Sequence, residues 1–153
     1  MITGNEIRLL RGLAPPGDTT ESLKSKFHAL RTARCPFFLE PREFDDILEW
    51  KLGDQLPRVE RHRKLLMDEA IPVVTAAAFE SCAANREETL KLRTGILTAL
   101  PVVGVPVASA ILSLVMPEEY GVIDFRAWRQ VFPDKAKSFS IPSYLRTCEK
   151  SGV

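Results

Sequence analysis

The chain is poor in the residues that build metal and redox centres. It holds three cysteines, Cys35, Cys82 and Cys148, and two histidines, His28 and His62. No Cys-x-x-Cys pair occurs, so a structural zinc site is not expected. An iron–sulfur cluster needs four cysteine ligands and is excluded by count. An odd number of widely spaced thiols, with no secretory signal ahead of them, reads as reduced cysteine in a cytoplasmic protein. An excess of one charge is missing too, because 21 basic residues face 20 acidic ones for a net charge of +1. Nucleic-acid binding usually shows as an overall basic excess, so here it has to rest on a local patch. The longest apolar run, 96–116, is broken by Thr98, Pro101, Gly104, Pro106, Ser109 and Ser113. It does not suit a membrane span. No P-loop, dinucleotide fingerprint or Ser/His/Asp arrangement is present, and no cofactor is expected.

What is present is helical. Apolar residues make up 45% of the 153 and charged residues 27%, the balance of an ordinary globular domain. The pattern predicts one all-α domain over 1–153. Predicted helices cover 5–12, then about 19–34 with Thr19 or Thr20 as cap and Leu23, Phe27 and Leu30 on one face. The next spans 41–52, opened by Pro41 and closed by Gly53. Further helices are expected over 56–69, 73–84 behind Pro72, and from the Asn85 cap to Leu100. The last three cover 105–115, 124–131 and 143–149. No strand is expected; 120–123 is the nearest candidate and is very short.

Leu100-Pro101-Val102-Val103-Gly104 joins two of these helices. A short turn there leaves N–H groups unpaired at the start of the second helix. Aided by the positive end of the helix dipole, those donors suit a phosphate oxygen. As plain structure, the same stretch is an αα-hairpin whose small residues let two helices approach. Twenty positions beyond Gly104, Asp124 stands at a helix start in Val122-Ile123-Asp124-Phe125-Arg126-Ala127-Trp128. It is either an N-cap or a carboxylate available for chemistry.

Turn, helix and carboxylate at this spacing resemble the helix-hairpin-helix DNA glycosylases, the endonuclease III-like superfamily. The family's turn reads Leu-Pro-Gly-Val-Gly with a small residue following. Leu100, Pro101, Val103, Gly104 and Ala108 match, while Val102 replaces the first glycine. That glycine commonly takes a backbone shape that is costly for a β-branched residue. Either the turn is altered here or Val102 is strained. The resemblance is strong over 87–131, faint over 44–80 and absent from the first forty residues. It implies a helix-hairpin-helix over about 86–115 and an Asp-bearing helix over about 124–131. It also implies non-specific phosphate contacts to double-stranded DNA from Val102, Val103, Gly104, Val105, Arg126 and Arg129, with Asp124 as the catalytic carboxylate. Such a carboxylate stabilises the positive charge that builds on the sugar as an N-glycosidic bond breaks, or activates the attacking water. The target base must leave the stack to be reached. Bifunctional members carry a lysine nucleophile where this chain has Pro106, so the implied chemistry is monofunctional hydrolysis. The other readings are a non-catalytic DNA-binding module and a protein-interaction module.

Two further groups stand out. Trp50 and Lys51 lie late on the 41–52 helix, and the resemblance places an equivalent helix at the base pocket. Trp50 suits stacking on a base and Lys51 a phosphate; the plain alternative is a core tryptophan beside a snorkelling lysine. Arg58, Arg61, His62, Arg63 and Lys64 form the densest basic run, which is either a phosphate contact or a solvated helix face. Ser109 and Ser113 are expected to bond back to their own helix.

Overall fold

The computed structural model describes residues 18–122 and 139–151, and every regular element among them is helical. In chain order these are α1 (Asp18–Ala33), α2 (Pro41–Leu52), a 3-10 turn (Gly53–Gln55), α3 (Leu56–Leu65), α4 (Ala70–Glu80), α5 (Arg86–Leu97), α6 (Val105–Val115) and α7 (Ile141–Ser151). The helix expected over 5–12 and the Asp-bearing helix over 124–131 lie outside the described residues.

α6 is the centre of the arrangement. Its sequence, VPVASAILSLV, carries no charge, and every residue from Val107 to Val115 is buried. A helix that is apolar all round has no solvent face and must be covered on all sides. α1, α2, α5 and α7 each pack against it. Ala108, Ser109 and Ala110 keep its girth small, and the serines do not break the core. Ser109 Oγ donates to the Pro106 carbonyl at 2.8 Å and Ser113 Oγ to the Ala110 carbonyl at 3.1 Å. Arg31 of α1 caps the other end, donating to the Val115 carbonyl at 2.9 Å, where a cation meets the negative end of the dipole.

Local signals set several boundaries where the sequence places them. Pro41 sits in the first turn of α2, and Glu40 and Glu43 form a reciprocal capping box. Gly53 closes α2 at φ 48°, a left-handed backbone that favours glycine. The Asn85 carboxamide oxygen accepts the Glu88 N–H at 2.9 Å and starts α5.

Four helices differ from expectation in their boundaries. The single helix expected over 56–69 stops at Leu65. Leu66 turns extended and is buried, while Arg63 reaches forward to Asp68 at 2.9 Å and folds the chain back. α4 therefore starts at Ala70, with Pro72 inside its first turn, where a missing N–H costs nothing. It ends at Glu80 rather than 84, because the buried Arg93 guanidinium takes the Phe79 and Ser81 carbonyls at 3.3 and 3.1 Å. α5 stops at Leu97, three residues early, and α7 is longer than 143–149 at both ends.

The α1–α2 connection is held by the Arg34–Glu43 ion pair. Arg34 grips Glu43 with two hydrogen bonds of 2.9 and 3.1 Å and donates to the Phe38 carbonyl at 2.6 Å. Glu43 also accepts the Glu40 N–H at 2.8 Å. Burial alone would raise the Glu43 carboxyl, but the Arg34 hydrogen bonds, the Glu40 N–H and the Arg34 charge outweigh it and hold it below the usual range. Beyond this clasp, the Leu39 N–H donates to Thr75 Oγ1 at 2.9 Å, and Phe37 meets Phe79 edge-on at 5.0 Å.

Glu43→Gln is expected to lower stability by about 2 kcal/mol near neutral pH, measured by chemical denaturation. A carboxyl lowered on folding stabilises above its unfolded pKa of 4.5 and stops doing so as pH falls through its folded value. The gap between the two proteins should therefore close across that acidic window; a gap unchanged with pH would contradict the assignment. The buried Thr94 hydroxyl on α5 has no hydrogen-bond partner among the described residues. Thr94→Val should raise stability by roughly 1 kcal/mol, read in the same experiment.

Candidate functional site

The α5–α6 connection runs through residues 98–104. It is tightened by hydrogen bonds from the Leu100 N–H to the Leu97 carbonyl and from the Val103 N–H to the Leu100 carbonyl, both 3.1 Å. Leu100 and Val103 are buried beneath it, and Pro101 and Gly104 are exposed. Val102 adopts φ 76°, the one non-glycine residue in this region among the described residues. Of the two alternatives for this position, the strained backbone is the one adopted. Val102 holds this backbone as a β-branched residue, at a cost of about 1–2 kcal/mol.

Gly104 is the N-cap of α6, at φ −91° and ψ −177°. Those angles suit any residue. A Cβ at this position would meet only Pro106 Cδ, at an ordinary 3.7 Å. Neither backbone shape nor internal packing therefore requires glycine here. The N–H groups of Gly104, Val105 and Val107 find no acceptor among the described residues, and Pro106 has none to offer. Three open amides thus stand beside a residue without a side chain, at the positive end of α6.

Trp50 faces a different kind of surface. It is half-buried, and its indole Nε1–H donates to Thr20 Oγ1 on α1 at 3.1 Å. A cavity of about 690 Å³ lies along it, lined also by Leu23, Asp46, Glu49, Asp54 and Leu56. A second cavity of about 190 Å³ uses the same indole together with Lys24, Tyr120, Gly121 and Val122. Trp50 is thus a shared wall of two hollows, and the second reaches the segment that runs toward Asp124. Lys51 lines neither cavity.

That segment is held from three sides. Arg93 Nη1 donates to the Tyr120 hydroxyl at 2.9 Å, Arg86 to the Glu119 carbonyl at 2.6 Å, and the Tyr144 hydroxyl to the Gly121 carbonyl at 2.8 Å. Burial pushes the Tyr120 and Tyr144 phenols and the Cys148 thiol above their ordinary values, so all three stay protonated at neutral pH. Asp124, Arg126 and Arg129 lie outside the described residues.

The basic run divides. Arg63 is committed internally: it bonds Asp45 at 2.6 and 3.0 Å and Asp68 at 2.9 Å, and the Asp45 hydrogen bonds raise its pKa. Lys64 pairs with Glu60 at 3.0 Å on the open surface, where such a pair contributes little. Arg58 and Arg61 are exposed. Thr20, expected as a helix cap, lies inside α1 and holds Trp50 instead; Glu49, Asp54 and Arg93 were not singled out from sequence. A lone arginine in the apolar stretch of α5 was the one signal available for the last.

No family model, curated protein or solved structure matches the chain.

Val102→Gly should relieve the left-handed backbone and raise stability by about 1 kcal/mol. A calorimetric melt checks this; a drop in stability would show that the turn does not depend on that φ.

Proposed function

We propose that the protein grips the backbone of double-stranded DNA with the 100–104 turn and the first amides of α6. On this reading it acts as a monofunctional base-excision glycosylase with Asp124 as the catalytic carboxylate. The observation that carries the reading is the pairing of a left-handed Val102 with a glycine at 104 that the free protein has no internal need for. A glycine with space around it, beside three open N–H donors, fits the close approach of another molecule's backbone. Val102, Val103, Gly104 and Val105 then follow a phosphate without reading sequence, and Arg126 and Arg129 add charge on the Asp124 side.

In this reaction the base leaves the stack and lies against the Trp50 indole. Positive charge builds on the sugar as the N-glycosidic bond breaks, and the Asp124 carboxylate stabilises it while water attacks. Pro106 offers no amine, so the reaction forms no Schiff base and cuts no strand. A second reading, a non-catalytic hairpin module for DNA or a protein partner, is favoured by Asp46, Glu49 and Asp54 beside Trp50. Three carboxylates there oppose a phosphodiester.

Gly104→Asp separates binding from folding. An aspartate N-cap serves α6 at least as well as glycine, so stability should hold within about 0.5 kcal/mol. Its charge should occupy the open amides and weaken duplex binding about tenfold or more, with a shallower salt dependence. Unchanged binding would remove the hairpin from the interface. Asp124→Asn should keep duplex affinity and reduce base release from damaged duplex at least about a hundredfold. Salt-dependent binding by the native protein with no base release across damaged duplexes would select the non-catalytic reading.

A further inference from the structure

The larger Trp50 cavity has a lining unlike a phosphate site. Its volume of about 690 Å³ falls within the range of small-molecule pockets. The indole of Trp50 and the aliphatic side chains of Leu23 and Leu56 supply apolar surface, Asp46, Glu49 and Asp54 supply carboxylates, and among the described residues no Lys, Arg or His lines it. Asp46 is matched by Lys26 Nζ at 2.8 Å. The Glu49 carboxylate is exposed and has no partner among the described residues. The Thr20 hydrogen bond ties the indole down as a fixed wall.

An aromatic face and carboxylates act together on one class of ligand. The ring quadrupole attracts a cation placed over it, and does so more strongly when the cation is partly desolvated. Nearby carboxylates add Coulomb attraction within a partly enclosed space, where it is screened less than in open water. A phosphate or carboxylate ligand meets repulsion from the same groups. A neutral ring gains only apolar contact. The geometry points to a binding site for a small organic cation, with a planar or alkylated nitrogen group seated against Trp50 and its charge facing Glu49. The site shares its indole wall with the proposed base pocket but does not require DNA binding. The duplex experiments and the one below therefore fail independently.

The probe pair is 1-methylnicotinamide, a planar cation, and nicotinamide, its neutral counterpart. Each is titrated into the full chain at low salt and followed by the NMR signal of the Trp50 indole N–H, assigned through its loss in Trp50→Phe. The cation is expected to bind about tenfold tighter than the neutral ring. Glu49→Gln, an exposed change outside the core, should reduce the cation's affinity about threefold and leave that of nicotinamide unchanged. Raising the salt concentration should act in the same selective way. Equal affinity for the two probes, binding of neither, or a Glu49→Gln variant that keeps the full preference for the cation overturns the proposal.

Discussion

A helix that meets protein on every side has to be built from residues small enough for its neighbours to reach it. α6 is such a helix, and the rest of the structure is arranged around that requirement. Alanine and serine at 108–110 bring α1, α2, α5 and α7 close, and each neighbour contributes an apolar stripe to the same core. The serine hydroxyls cost little because each is satisfied by a carbonyl of its own helix. Because α6 is immobilised over nearly its whole length, both of its ends become fixed points. Its N-terminus presents the open amides, and its C-terminus launches the segment toward Asp124.

The candidate site is divided between these two ends, and the division is physical. Around the 98–104 turn the protein offers backbone donors and almost no side-chain chemistry. Around Trp50 it offers an indole and carboxylates, with Lys24 as the cation of the smaller hollow. One region suits an anion held through its oxygens, the other a flat group held through its face. With a net charge of +1, the chain has no overall basic excess to draw in a polyanion, so any grip on a phosphate backbone falls to local geometry.

Much of the scaffold was legible where a single residue carries a strong local preference. Pro41, Gly53 and Asn85 mark helix ends through backbone angle or a side-chain cap, and those ends fall where their chemistry puts them. The charge-free, small-residue sequence of 105–115 was legible as a helix that a neighbour can approach closely. Legibility failed where a boundary depends on partners distant in sequence or on a side chain folding back. The break between α3 and α4 rests on Arg63 holding both Asp45 and Asp68, and the early end of α4 rests on Arg93 reaching carbonyls a dozen or more positions away. The Trp50 hollows were invisible for the same reason, since Thr20 and Leu23 arrive from another helix. Val102 posed a choice between an altered turn and a strained one, and only tertiary context decides such a choice. The buried neighbours Leu100 and Val103 pin the turn on either side of it.

The clasp on residues 119–121 has an outcome for anyone titrating this protein. Its donors are two guanidiniums, which do not lose their protons in water, and a phenol that burial keeps neutral. None of them changes charge between acid and mild alkali. These three hydrogen bonds therefore keep their charge state across that range, and the clasp includes a carboxylate through the Arg93–Glu119 ion pair at 3.7 Å. A pH profile recorded on the intact fold reports on groups other than these three donors, such as a carboxylate or a bound molecule.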